Sequence, residues 1–229
     1  ENITLKSSGI NFDDYVKKED LNETPPKITD CWGDSLTYGV ASSITRGGYV
    51  TRLKNKLGND WVVNNFGVGG EKTKTIACRQ GGMNFVVQPD IVIPSNIAPV
   101  EIKLLADDGS PIQCRDTDIG GINPCYINGV EGTLSIDYGT FTKHFFTRKN
   151  VGDEIVINRP VTLVTANKNR KGNVNIIWMG QNGEKHEDHS GWDSEEDLVN
   201  QIRKMVEVAN TNRYLILGLV KNFSLASKK

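Results

Sequence analysis

A hydroxyl set beside an acid and a glycine at the end of an apolar run can do acyl-transfer chemistry, and Gly33-Asp34-Ser35 offers one. The preceding run, Ile28-Thr29-Asp30-Cys31-Trp32, can form a buried strand, while Asp34, Ser35 and Thr37 carry helix-start chemistry. Ser35 is therefore expected at a strand-to-helix junction. In an open α/β sheet the carboxyl ends of the strands form the crevice where ligands bind, so a serine there meets substrate while its own N–H points into the same space. One residue then supplies a nucleophile and an oxyanion donor. The tripeptide alone is weak evidence, since a chain of this length contains it by chance in roughly one case in fifteen. A serine at that position also serves as a plain helix cap.

Two further stretches have related chemistry. Trp61-Val62-Val63-Asn64-Asn65-Phe66 reads as a strand and runs into Gly67-Val68-Gly69-Gly70-Glu71-Lys72-Thr73. Glycines just before a helix let backbone N–H groups approach an anion, although such loops are also ordinary tight turns. The third stretch is a buried strand over 173–179 that ends in Gly180-Gln181-Asn182-Gly183.

The elements that must position these residues follow from periodicity. Tyr49, Val50, Leu53 and Leu57 fall at helical spacing, with Gly58 as the stop. Strand, helix, strand, glycine loop and helix make a βαβα pattern, which predicts a parallel sheet with right-handed crossovers. From 84 to 172 helical periodicity disappears and short β-rich runs appear at 91–93, 100–106, 125–127, 133–138, 154–157 and 161–165. Turn pairs such as Asp108-Gly109, Asn128-Gly129 and Lys171-Gly172 separate them, predicting an antiparallel sheet or small barrel. After 173 the α/β pattern resumes. Ser194 caps a helix whose apolar stripe is Leu198, Ile202, Met205, Val206 and Ala209, and 214–219 reads as a fourth parallel strand. The expected organisation is a discontinuous α/β domain, 1–83 with 173–229, carrying an inserted β-rich subdomain at 84–172. Residues 1–26 read as a polar lead-in with one short helix over 11–18.

Composition narrows the function classes. The 229 residues are 37% hydrophobic and 24% charged, enough for a substantial core. Net charge is −1 and the pI near 6.4, with Lys and Arg interspersed among Asp and Glu, which argues against a nucleic-acid partner. The longest apolar runs, 214–220 and 91–94, fall far short of a membrane span, and the first thirty residues hold no apolar signal core. Cys31 and Cys78 read as small buried residues, whereas Cys114 and Cys125 bracket a loop that a disulfide could close.

Together, Gly33-Asp34-Ser35-Leu36-Thr37-Tyr38-Gly39, Asn65-Phe66-Gly67-Val68-Gly69-Gly70-Glu71-Lys72-Thr73 and Gly180-Gln181-Asn182 resemble the first three signature blocks of the SGNH (GDSL-type) hydrolases. The resemblance covers 28–80 and 173–220 and leaves the central insertion outside. It implies an α/β fold, a flavodoxin-like three-layer parallel sheet of the SGNH hydrolase type, C-terminally incomplete here and carrying the β-rich subdomain. It also implies a serine esterase or lipase/acylhydrolase that uses no cofactor and no metal. Ser35 would be the nucleophile, and its N–H, the Gly70 N–H and the Asn182 side chain would form the oxyanion hole. Acetyl or other short acyl esters on carbohydrate are the substrate class suggested by resemblance.

The sequence departs from the family pattern in two places. Gly183 stands where Asp commonly follows the third-block Asn, and the C-terminal Asp-x-x-His that supplies the general base has no counterpart. The three histidines are His144, expected on an ordinary strand with Phe141, Lys143 and Phe145 alternating, and His186 and His189 in a polar loop after Asn182. Three explanations stand: the chain is an N-terminal portion of a longer one, His186 or His189 folds back as the base, or the protein binds acylated ligands without turning them over. A glycan- or protein-binding module on this scaffold is the competing class, and a metal hydrolase built on His186, Glu187, Asp188 and His189 carries less weight.

Overall fold

The computed structural model describes residues 27–40, 42, 48–139, 141–183 and 195–218. The chain opens with β1 (Ile28–Gly33), α1 (Ser35–Tyr38), α2 (Tyr49–Leu57), β2 (Val62–Gly67) and α3 (Thr73–Gln80). Nine strands follow: β3 (Phe85–Val87), β4 (Ile91–Ile93), β5 (Val100–Ile102), β6 (Leu104–Ala106), β7 (Cys125–Ile127), β8 (Val130–Ile136), β9 (His144–Arg148), β10 (Ile155–Ile157) and β11 (Val161–Val164). β12 (Val174–Trp178), α4 (Glu195–Ala209) and β13 (Tyr214–Ile216) complete the described chain.

Four strands form a parallel sheet in the order β13-β12-β1-β2. One face of it packs α2 through Val50 with Cys31 and Ile176, and the other packs α3 and α4 through Ile76 and Met205 with Trp32 and Ile177. Polar groups within the sheet are paired, as low-dielectric surroundings require. Trp32 Nε1 donates to Asn175 Oδ1 at 2.9 Å, and the indole stacks on Phe66 with centroids 4.2 Å apart. Buried Asp30 accepts from Arg170 (2.7 and 3.1 Å), Asn64 (2.8 Å) and Asn173 (2.8 Å).

The larger sheet corrects the expected fold class. Seven strands run antiparallel in the order β5-β9-β8-β7-β11-β3-β6, and β4 and β10 make a separate antiparallel pair. The molecule is β-rich, with a small parallel sheet beside a larger antiparallel one, and is not a flavodoxin-like three-layer α/β domain. The physical reason lies in the connections. Parallel strands need long crossovers, usually helical, whereas short β-branched runs joined by tight turns pair with their neighbours antiparallel. The hairpin β7–β8 turns on Asn128-Gly129, both at positive φ (47° and 84°), the conformation such a two-residue turn demands. One continuous apolar core joins the two sheets: Trp32, Ile177 and Met205 belong to the same cluster as Phe85, Leu134 and Phe146.

Several local expectations match the structure. α2 ends at Gly58 (φ 79°), and the α4 stripe faces inward with Met205 and Ala209 buried and Leu198, Ile202 and Val206 packed against the core. The run 100–106 is divided into two strands, β5 and β6, and β9 places the opposite face inward from the alternation of Phe141, Lys143 and Phe145: His144, Phe146 and Arg148 are buried. Cys114 and Cys125 are both free, buried thiols, so the disulfide weighed from their spacing is absent. No helix among the described residues is long and apolar enough to cross a membrane. The helix expected over 11–18 and the cap Ser194 lie outside the described residues.

Candidate functional site

Ser35 is the first residue of α1, directly after β1. Asp34 caps the helix, its Oδ1 accepting from the Leu36 N–H at 3.0 Å. Burial pushes the Asp34 carboxyl above its ordinary range, while the backbone amides of Leu36 and Gln181 pull it back. The acid thus links the end of β1 to the turn that follows β12. α1 is also fastened sideways: Thr37 Oγ1 lies 3.5 Å from the Trp178 carbonyl and from the Tyr49 hydroxyl, and Asn65 Nδ2 donates to the Tyr38 carbonyl at 3.3 Å.

Two glycines permit this close approach. A Cβ on Gly67 would strike the backbone N of Tyr38, and one on Gly33 would strike the Trp178 carbonyl and the Thr37 hydroxyl. The first helical turn therefore rests directly on the neighbouring strand ends.

β1 is flanked by β2 on one side and β12 on the other, with Gly33 in register with both Gly67 and Trp178. Ser35, Gly70 and Asn182 follow these three strands at their carboxyl ends, so the three residues singled out in the sequence come from adjacent strand ends. Gly70 adopts φ +76°, and Asn182, in a 3-10 turn (Gln181–Gly183), donates from Nδ2 to the Glu71 carbonyl at 2.9 Å. That bond uses one of the two amide hydrogens of Asn182. Among the described residues, the Ser35 and Gly70 N–H groups and the Ser35 hydroxyl have no hydrogen-bond partner.

Beneath these residues lies an ion pair that the sequence did not disclose. Arg79, on α3, donates from Nε to Glu71 Oε2 at 2.7 Å, and both side chains are fully buried. The guanidinium also reaches the carbonyls of Gly120 (2.7 Å), Phe66 (3.1 Å) and Gly33 (3.4 Å). It thereby holds the ends of β1 and β2 to the loop from the antiparallel sheet. Burial pushes the Glu71 carboxyl up, and the Arg79 charge opposes that shift. The available signal was weak: Arg79 directly follows the apolar run Ile76-Ala77-Cys78.

Arg115 was also missed, and nothing in the sequence marked it. Its Nε would lie 3.7 Å from a Cβ on Gly70, its guanidinium covers the Phe141 ring at 4.5 Å, and Tyr138 meets Phe141 edge-on. A loop of the antiparallel part thus places a cation beside Gly70, backed by the Phe141 ring.

Of the histidines, His144 sits on β9 between β5 and β8, buried, and burial lowers its pKa to about 4. It belongs to the antiparallel sheet, where it pairs with Ile102 of β5 and Ile136 of β8. His186 and His189, and with them the cluster weighed as a metal site, lie outside the described residues.

No protein-family model, curated protein or solved structure matches this chain.

Proposed function

We propose that this protein is a serine esterase in which Ser35 attacks the carbonyl of a carboxylic ester. The N–H groups of Ser35 and Gly70 and the second amide hydrogen of Asn182 receive the negative charge that develops on the carbonyl oxygen. The observation that carries this reading is the set of donors without a partner among the described residues at three adjacent strand ends. Preorganised donors of this kind contribute to rate because they need no rearrangement when charge appears.

In the first step the Ser35 Oγ–carbonyl bond forms, a base takes the hydroxyl proton, and collapse of the tetrahedral adduct expels the alcohol, which receives that proton. Water then attacks the acyl-serine by the same route and releases the acid. A serine hydroxyl is a weak nucleophile without a base. Burial withholds His144 from that task, and we assign it to His186 or His189. Short acyl esters, including acetyl groups on carbohydrate, are the substrates we assign by resemblance of the three motifs.

The test is a fluorophosphonate probe on this chain and on Ser35→Ala, with hydrolysis of p-nitrophenyl acetate measured on both. Labelling that maps to Ser35 and turnover that disappears in the variant are expected. Absence of both in the folded protein would overturn the reading and leave the binding-module alternative.

A further inference from the structure

Arg115 is a cation fixed beside Gly70 without an anionic partner among the described residues. It lies on the loop between β6 and β7, and its backbone N–H donates to the buried Glu71 carboxylate, which anchors that loop to the turn that carries Gly70. Two contacts then hold the side chain. Its Nε, Cγ and Cδ would lie 3.7, 3.8 and 3.9 Å from a Cβ on Gly70, and its guanidinium covers the Phe141 ring at 4.5 Å. Nε is therefore within roughly 6 Å of the Gly70 nitrogen, the donor assigned to the carbonyl oxygen of an ester.

The unfilled fork of the guanidinium carries the argument. Of its nitrogens only Nε is buried without a partner; the residue is half-buried, and the two terminal nitrogens, also unpaired among the described residues, open to solvent. No neighbouring carboxylate fills the fork. Glu71 is taken by Arg79, Asp116 Oδ1 accepts from the backbone N–H groups of Asp118 (2.9 Å) and Ile119 (3.2 Å), and the exposed Asp118 makes no ion pair with Arg115. A planar guanidinium held on a ring with its terminal N–H groups free is arranged to take a carboxylate bidentately. We propose that Arg115 reads a negative charge on the substrate, so that the site takes short acyl esters of hydroxy acids, with the carboxylate on the terminal nitrogens of Arg115. The charge falls in the alcohol part because the acyl group assigned above is short. The inference rests on the esterase reading for the bond that reacts, whereas the carboxylate contact itself needs no chemistry at Ser35.

The experiment compares 3-acetoxybenzoate with its methyl ester, which lacks the charge. Binding of each is measured by calorimetry on the whole chain carrying Ser35→Ala, so that no turnover consumes the ligand, with the Gly70 amide shift followed. The charged ester should bind about tenfold more tightly than the neutral one, and added salt should narrow the gap. Arg115→Met keeps an apolar stem against Gly70 and Phe141 and removes the charge, so the preference should fall about tenfold, and Arg115→Lys should restore part of it. A site that had merely lost its shape would weaken both ligands alike. Equal binding of the two esters, an unchanged preference in Arg115→Met, or no saturable shift at Gly70 with either ligand would each overturn the inference. Hydrolysis by the parent chain is read separately. An Arg115-dependent preference in binding with no turnover of either ester would remove the esterase reading and leave the carboxylate contact standing, and turnover without the preference would do the reverse.

Discussion

Arg79 Nε sits 2.7 Å from Glu71 Oε2 in a pair wholly withdrawn from solvent, directly under the turn that carries Gly70. Removing one partner from such a pair leaves an uncompensated buried charge, which costs far more than the intact pair contributes. Arg79→Met should destabilise the protein by about 3–5 kcal/mol. Adding Glu71→Met should restore part of that loss, because the stranded carboxylate goes too. Urea unfolding of the two single variants and the double variant measures the coupling.

Asn182 connects the third strand end to the second through its bond to the Glu71 carbonyl. If its second amide hydrogen serves the oxyanion, Asn182→Ala should lower kcat about a hundredfold with little change in KM, since the donor acts on charge present only in the transition state. The accompanying stability loss should be about 1 kcal/mol, that of one ordinary hydrogen bond. Steady-state kinetics on a short acyl ester, beside thermal melts, separates the two effects.

Gly67 lets the first turn of α1 lie against β2, and an added Cβ there meets the Tyr38 backbone. Gly67→Ala should cost about 1–3 kcal/mol, the usual range for overpacking a tight contact. The turn that holds Ser35 must shift to make room. Fluorophosphonate labelling of Ser35 should therefore fall at temperatures where the variant is still folded.

His144 gives the stability a pH dependence of known sign. Burial holds its folded-state pKa at about 4, below its ordinary value of 6.5, so between these limits the unfolded chain takes up a proton that the folded chain refuses. Stability should fall as pH drops from about 6.5 to about 4, by about 3 kcal/mol in total for this group. Denaturant titrations at pH 7 and pH 4.5 on the parent and on His144→Gln isolate the contribution as their difference.

The thiols of Cys31, Cys78, Cys114 and Cys125 are all free and buried. Burial raises each pKa, to about 12 for Cys31 and Cys125. Thiolate, the reactive form, is scarce at neutral pH under those conditions. Ellman's reagent should find no fast-reacting thiol among these four in the native protein at pH 8, and should titrate them all in denaturant.

The short-range features were legible in the sequence because they depend on neighbouring residues. The strand ending at Gly33, the helix start around Asp34 and Ser35, the stop at Gly58 and the Asn128-Gly129 turn follow from local sterics and hydrophobic period, although the cap is Asp34 and not the Ser35 weighed for it. The order of the three turns that hold Ser35, Gly70 and Asn182 was legible too, because each directly follows an apolar run.

Tertiary structure decided what depends on partners distant in sequence. The turn pairs already predicted antiparallel pairing between 84 and 172, but that β3 lies beside β6 and β11, and that seven strands join into one sheet larger than the parallel one, is settled by long-range pairing. The same holds for the face of β9 that enters the core, which shifts with a one-residue change of register. Arg79 looked like any helix-surface cation until the loop at Gly120 and the ends of β1 and β2 closed around it. Its charge is tolerated there because the fold supplies a carboxylate and three carbonyls at once. Composition and spacing place the groups along the chain, but their burial and pairing arise only when segments far apart in sequence exclude water together.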